Sequence, residues 1–309
     1  MPHPSLTGEE IATQPADWRT AAALAETAGA DLPQRGERVA VVGCGTSWFM
    51  AQAYAALRES GGHGETDAFA ASEFPHGRRY DRILAITRSG TTTEVLRLLA
   101  DTDLPSTAIT ACTDQPVAAV ADRLVDLGFA DERSVVQTRF ATTVLALLRA
   151  HLELEGALPA GVATIAQAAA DAEQAVAWQV PAELVELEQI SFLGAGWTNG
   201  LAQEAGLKMR EAALAWTEAY PAMEYRHGPI SITAPNRAAW AFGELPTGLA
   251  EEVAAVGGLL VAGSGTGGLD PLADLVRVHK LAVALAEHRG LNPDEPRNLT
   301  RSIILAQPS

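Results

Sequence analysis

One local pattern occurs twice in this chain of 309 residues and constrains the fold more than any other feature. Arg38-Val39-Ala40-Val41-Val42, a short β-branched run, enters Gly43-Cys44-Gly45-Thr46-Ser47 and then a helical pattern. Ile190-Ser191-Phe192-Leu193 enters Gly194-Ala195-Gly196 in the same way. The two align at an offset of 151 positions, from Gly43 to Gly194, and the alignment carries Ala51-Gln52 onto Ala202-Gln203. A continuous apolar run closed by a turn is the mark of a strand buried on both faces, and such strands belong to parallel sheets covered by helices. The chain is therefore expected to be a tandem duplication of one α/β unit.

The remaining segments fit that expectation. Apolar runs at Arg82 to Ile86, Ser106 to Cys112 and Leu124 to Phe129 alternate with helical patterns, and a long helix from about Ser134 closes the first half. The second half adds strands near Ala238 to Phe242 and Leu259 to Ala262 and a terminal helix from Asp270 to Arg289. Strand–helix alternation predicts two tandem doubly wound parallel-sheet lobes, three-layer and Rossmann-like or flavodoxin-like, with ligands at the strand carboxyl ends. The expected boundaries are an N-terminal helical segment 1–34, a first lobe 35–157, an alanine-rich helical linker 158–180, a second lobe 181–290 and a C-terminal tail 291–309. Within the first segment, Pro15 is expected to open a second helix at Asp17-Trp18-Arg19, because proline fits the first helical turn.

Composition narrows the function. The sequence is 48% hydrophobic with a formal net charge of -16, which excludes the basic face that a nucleic-acid partner requires. The only cysteines, Cys44 and Cys112, each sit in an apolar run, so a reducing, cytoplasmic setting with two core thiols is expected rather than a disulfide framework. No apolar run reaches the ~18 residues of a membrane span, and MPHPSLTGEEIATQP lacks a basic-then-apolar leader. Asn298-Leu299-Thr300 fits a glycosylation sequon, but nothing else points to secretion. No HExxH and no cysteine pair is present, so neither metal nor cofactor is expected.

Three stretches carry chemistry. The turn Gly43 to Ser47 places free N–H groups at a helix start, an anion site by geometry. It lacks the third glycine of a dinucleotide fingerprint, since position 48 is Trp. Thr87-Arg88-Ser89-Gly90-Thr91-Thr92-Thr93-Glu94 sets five hydroxyls and a guanidinium at the next strand-to-helix turn, a composition for phosphate oxygens. There is no GxxxxGK[ST], so nucleotide hydrolysis is not indicated. In the second half, Glu204, Lys208 and Glu211 fall at i, i+4 and i+7 and share a helix face. The segment continues to Arg226-His227-Gly228-Pro229, where the proline constrains the turn that carries the imidazole. The polar stretch 131–139 is either a plain helix start or a ligand loop.

GCGTS, TRSGTTTE, ERSVVQTR, GLKMRE, EYRHGP and PRNLTRS, in this order, resemble the sugar isomerase (SIS) family, and most closely the isomerase half of glucosamine-6-phosphate synthase. The resemblance implies that Thr46, Ser47, Thr87, Arg88, Ser89 and Thr92 hold a sugar phosphate. It adds Val135, Glu204 and Arg301 to the substrate contacts. It implies that Glu211 shuttles the proton, that Lys208 stands beside it, and that His227 opens the sugar ring from the neighbouring subunit of a homodimer. Three differences from the family pattern stand out. Arg88 stands where the family's SQSGET turn has an amide, and Arg301 stands where the synthase has an imine-forming lysine. An arginine stays protonated and forms no Schiff base. A glutaminase unit ahead of the isomerase motifs is not expected.

The expected function is therefore an isomerase or deaminase for a hexose or amino-sugar 6-phosphate, moving a proton between C1 and C2 by acid–base chemistry. Deglycation of a fructosamine 6-phosphate is a related reading. A non-catalytic sugar-phosphate-binding module is the alternative from another class, for which Glu211 and His227 would be superfluous.

Overall fold

The computed structural model describes residues 5–263 and 268–306; the first four residues of the N-terminal segment and the last three of the tail lie outside the described residues. Helix α1 (Leu6–Ala28) opens the chain. The first lobe runs β1 (Val39–Gly43), α2 (Thr46–Ser60), β2 (Thr66–Ala70), β3 (Arg82–Ile86), α3 (Thr93–Ala100), β4 (Ser106–Thr110), α4 (Val117–Val120), β5 (Arg123–Asp126) and α5 (Arg139–Leu154). Helices α6 (Ile165–Ala177) and α7 (Ala182–Val185) follow. The second lobe runs β6 (Gln189–Gly194), α8 (Thr198–Ala213), β7 (Trp216–Pro221), β8 (Arg237–Ala241), α9 (Leu249–Ala255), β9 (Leu259–Ala262) and α10 (Pro271–His288).

Every strand pairing is parallel, in the orders β2-β1-β3-β4-β5 and β7-β6-β8-β9. Val41 lies between Ala68 and Leu84, and Phe192 between Ala219 and Trp240. The duplication is therefore visible in topology: β1 and β6 hold equivalent places, each followed by a helix. Gly45 and Gly196, 151 positions apart, have φ of 54° and 56°, a left-handed conformation that glycine adopts without a Cβ penalty.

Alternation along the central strands divides the core. Val39 and Val41, with Ile190 and Phe192, face one cluster that spans both lobes and takes in residues of α1, α2, α5, α6, α8 and α10. Ala40 and Val42 face α3 on the far side of the first sheet, and Leu193, Ala239 and Ala241 face α9 beyond the second. Period-two strands buried on both faces produce this division. The lobes meet where α2 packs on α8. A Cβ on Gly200 would lie 2.5 Å from the Phe49 carbonyl oxygen, so the approach requires glycine there.

Four expectations change. Pro15 does not start a second helix; α1 runs through it. The Ile11 carbonyl, which loses its usual donor to a proline four residues on, accepts instead from Gln14 Nε2 at 3.3 Å. Helix α5 starts at Arg139 rather than near Ser134, because the Glu132 carboxylate takes the Thr138 and Arg139 amides. Strands β4 and β5 stop at Thr110 and Asp126, short of the expected ends; residues 128–130 form a 3₁₀ turn. Strands β2 and β7 were not anticipated. Both are edge strands with mixed, half-exposed patterns, and β7 separates the carboxylate helix from the histidine turn. No helix among the described residues is long and apolar enough to cross a membrane.

Candidate functional site

The first sheet reverses its strand order between β1 and β3, and a crevice opens at such a switch point beyond the strand carboxyl ends. Both hydroxyl-bearing turns lie there. Thr46 and Ser47 are the first residues of α2 and are 4% and 3% exposed. Gly45 at the helix cap offers no side chain. On the second turn, Ser89 Oγ accepts from the Thr91 amide at 3.2 Å and the Thr91 hydroxyl at 2.9 Å. Thr92 precedes α3 without capping it through its hydroxyl. The Thr87 hydroxyl is buried with no hydrogen-bond partner among the described residues. Glu94 stands on the same turn, and with burial it helps push the Cys44 thiol up to about 11.

The equivalent turn of the second lobe is closed. Thr198, the counterpart of Ser47, accepts from the Ala195 amide at 2.8 Å and donates to the Phe242 carbonyl at 2.9 Å. Its hydroxyl thus does for the protein what a ligand could do in the first lobe.

Arg88 is 2% exposed and does not stand free over its turn. It donates to the carbonyls of Ser134, Val135 and Arg301 at 3.2, 3.3 and 3.2 Å, and lies 3.6 Å from Glu132 Oε2. Val135 meets the site through that carbonyl. Stretch 131–138 is a loop, and the tail lies across the rim: Thr91 Oγ1 and Ser302 Oγ lie 2.9 Å apart, and the Thr93 amide donates to the Ile303 carbonyl at 3.1 Å. The Arg301 side chain pairs with Asp131, donates to the Glu132 carbonyl and reaches Cys112 Sγ at 3.6 Å. In this structure its cation serves the 131–138 loop.

Helix α8 contributes the ionisable cluster. Lys208 Nζ lies 3.6 Å from Glu204 Oε1 and contacts Glu211 Oε2. These are not solvated surface pairs: Lys208 and Glu204 are 1% and 0% exposed. Burial pushes the Glu204 carboxyl up to about 8, against the pull of Lys208, with Glu211 adding to the rise and the Thr46 hydroxyl opposing it. Thr46, at the start of α2, thus lies beside the cluster on α8. Burial works against the Lys208 ammonium, but Glu204 and Glu211 outweigh it and hold it above the ordinary lysine range. At neutral pH the coherent state is a Lys208–Glu211 ion pair beside a protonated Glu204, which leaves no net buried charge. Such a cluster holds a cation, a carboxylate and an acid within one site.

His227 lies elsewhere. It ends the 3₁₀ turn Glu224–His227 and is exposed. The turn is anchored by Tyr225 to Thr233 and by Arg226 to Glu252 and the Thr247 carbonyl, at 2.8 and 2.6 Å. None of the contacts among the described residues joins His227 to the α8 cluster.

Sequence reasoning missed two members. Glu132 lay in a stretch singled out as a possible ligand loop, but its burial was not legible. His279 of α10 is fully enclosed, with its imidazole pushed down to about 3 by burial and then by Lys208. Helical periodicity explains it as a core position, and no spacing links it to Lys208. One hollow of about 490 Å³ adjoins the site, lined by Thr300 to Ile304 of the tail. A cleft of about 870 Å³ lies near Trp197 and Asp270, and one of about 410 Å³ beside Lys280. Thr87, Arg88, Glu94, Glu132 and Glu204 are among the residues with buried polar atoms that have no partner among the described residues. Among the described residues no group of three or more metal-ligating side chains is placed to hold an ion.

No family model matches the chain. A glutamine–fructose-6-phosphate aminotransferase (isomerizing) from Synechocystis sp. is 26% identical over 87% of this chain and 51% of its own length. One from Sulfurisphaera tokodaii is 29% identical over 63% of this chain and 35% of its own. The chain spans about half the length or less of these curated relatives. Among solved structures, glucosamine-6-phosphate deaminase from Thermotoga maritima superposes with a TM-score of 0.81 at 23% identity, covering 97% of this chain and all of that one. The C-terminal domain of the glucosamine-fructose-6-phosphate aminotransferase from Francisella tularensis gives 0.78 at 20% identity, covering 96% and 99%. The sequence likeness to these aminotransferases stays below 30% identity, and the solved structures share the fold of this chain.

Proposed function

We propose that this chain is an enzyme that acts on a hexose or amino-sugar 6-phosphate, moving a proton between C1 and C2 as an isomerase or deaminase. The observation that carries the reading is the enclosed Glu204–Lys208–Glu211 cluster on α8, which packs on α2, the helix that starts at the buried hydroxyls of the first sheet's switch point. The turns bind the phosphate, Glu211 takes and returns the proton, and the Lys208 ammonium stabilises the enediolate oxygen. Protonated Glu204 supplies a donor that a second carboxylate could not. Arg301, held by Asp131, contributes a fixed cation and no imine. The relatives' names supply the substrate class, and the enclosed cluster distinguishes a catalyst from a plain phosphate-binding module, which needs no such group.

His227 serves the ring-opening step from a second copy of the chain, so the active form is a homodimer. The test uses two variants. Glu211→Gln keeps shape and removes the base, so transfer of solvent deuterium into C2 of a sugar phosphate falls at least about 10²-fold with binding retained. Mixing Glu211→Gln with His227→Asn after dissociation restores about a quarter of wild-type activity, since half of random dimers are mixed and each holds one intact site. Undiminished exchange in Glu211→Gln removes it from the mechanism, and a mixture without recovered activity removes the shared site.

A further inference from the structure

Glu132 has no part in the mechanism above, yet it is among the most enclosed charged residues of the first lobe, at 1% exposure. Its Oε1 accepts from the Thr138 amide, the Thr138 hydroxyl and the Arg139 amide at 2.5, 2.9 and 2.9 Å. Three donors on one oxygen suit an ionised carboxylate, which only accepts. Its Oε2 has no hydrogen-bond partner among the described residues and faces Arg88 Nη1 at 3.6 Å. Arg88 in turn donates to the Arg301 carbonyl, and Arg301 donates back to the carbonyl of Glu132. The loop, the phosphate turn and the tail are thus closed into one ring of contacts around a single buried carboxylate.

We infer that Glu132 is a positioning residue for the proposed reaction: through Arg88 it fixes the C-terminal segment across the proposed phosphate turn. The inference rests on the reading of the site given above. Lys208 is surrounded by Glu204 and Glu211 on its own helix, His279 on α10 and Glu132 on the loop before α5. Glu132 is itself faced by Arg88 from the phosphate turn and Glu10 from α1. Burial pushes the Glu132 carboxyl up and the Arg88 guanidinium down, so each depends on the other to stay charged. A pair of this kind is weak as a source of stability, but removing one member leaves the other uncompensated.

Two readouts in the ligand-free protein test this without any substrate. Lys208 and Lys280 are the only lysines in the sequence, so protein labelled with ¹³C-lysine gives two side-chain signals, assigned by Lys280→Arg. Glu132→Gln keeps an acceptor for the α5 amides and removes the charge. The Lys208 signal is expected to titrate lower, because the charge of Glu132 helps to hold the ammonium protonated, and the Thr93 and Leu305 amides, which bond to the tail and to Thr93 Oγ1, to exchange at least about tenfold faster. Unchanged titration and exchange reduce Glu132 to a cap for α5 and overturn the inference. Should Glu132→Gln fail to fold, Arg88→Gln leaves that cap intact and must still speed exchange at Leu305; protection equal to wild type overturns the inference there too. An inactive wild-type protein, by contrast, sinks the assigned reaction, whatever these two measurements return.

Discussion

Lys208 shows how residue identity and burial act together. Of 22 lysines and arginines, two are lysines, and one of them is enclosed between two glutamates. A compact ammonium fits that space, whereas a planar guanidinium needs a fork of acceptors. Its i, i+4 and i+7 partners were legible in the sequence; their enclosure was not, because burial of α8 depends on α2 and α10 packing on it. The run of hydroxyls at the 87–93 turn was legible too. Arg88 was not: one position among hydroxyls read as a phosphate ligand, and only the distant loop and tail show where its donors are engaged. Ser89 provides the residue-level test. Ser89→Ala should raise KM for phosphorylated sugars by about 10- to 100-fold, as expected for a hydrogen bond to a charged group. Unphosphorylated sugars should change little, and equal loss for both would argue against a phosphate site at this turn.

At the level of elements, strands with continuous apolar runs were recovered almost to the residue, as at Arg82–Ile86 and Leu259–Ala262. Edge strands β2 and β7 were not, since a half-exposed strand has no uniform pattern. The start of α5 was displaced by the side chain of Glu132, a tertiary cap that local propensity cannot contain. The end of α8 carries a cost. Leu214 stops the helix in a left-handed conformation, φ 52°, with its side chain 46% exposed. Leucine is strained there, and glycine is the usual residue at such a position. Leu214→Gly should therefore raise stability by about 1 kcal/mol, measured as a shift in the urea midpoint without a change in slope. A lower midpoint would mean that the exposed leucine packs against something, such as a second copy of the chain.

For the whole molecule, buried titratable groups set opposite slopes of stability with pH. His151 and His279 are pushed down to about 4 and about 3 by burial. The folded state binds fewer protons than the unfolded chain below the usual histidine value, so stability falls as pH drops through about 6.5. Glu204 has the reverse sign. Its folded value of about 8 lies above the unfolded one, so stability falls as pH rises towards 8 and levels off beyond. Tm should peak near pH 6.5, and Glu204→Gln should flatten the alkaline fall and steepen the acid side above about pH 4.5, where Glu204 opposes the histidines; an equally steep alkaline fall in the variant would place the titrating group elsewhere. The sequence by itself determined the two-lobed parallel architecture, the hydroxyl turns and the carboxylate–lysine face, because strand burial, glycine turns and helical spacing are properties of neighbouring residues. Only the tertiary structure decided that Thr198 closes the second turn, that Arg88 and Arg301 serve the 131–138 loop, and that Glu204 is buried deeply enough to hold its proton. Those outcomes depend on which groups, more than a hundred positions apart in the cases of Arg88, Arg301 and Glu204, exclude water from one another, and desolvation has no signature in local sequence.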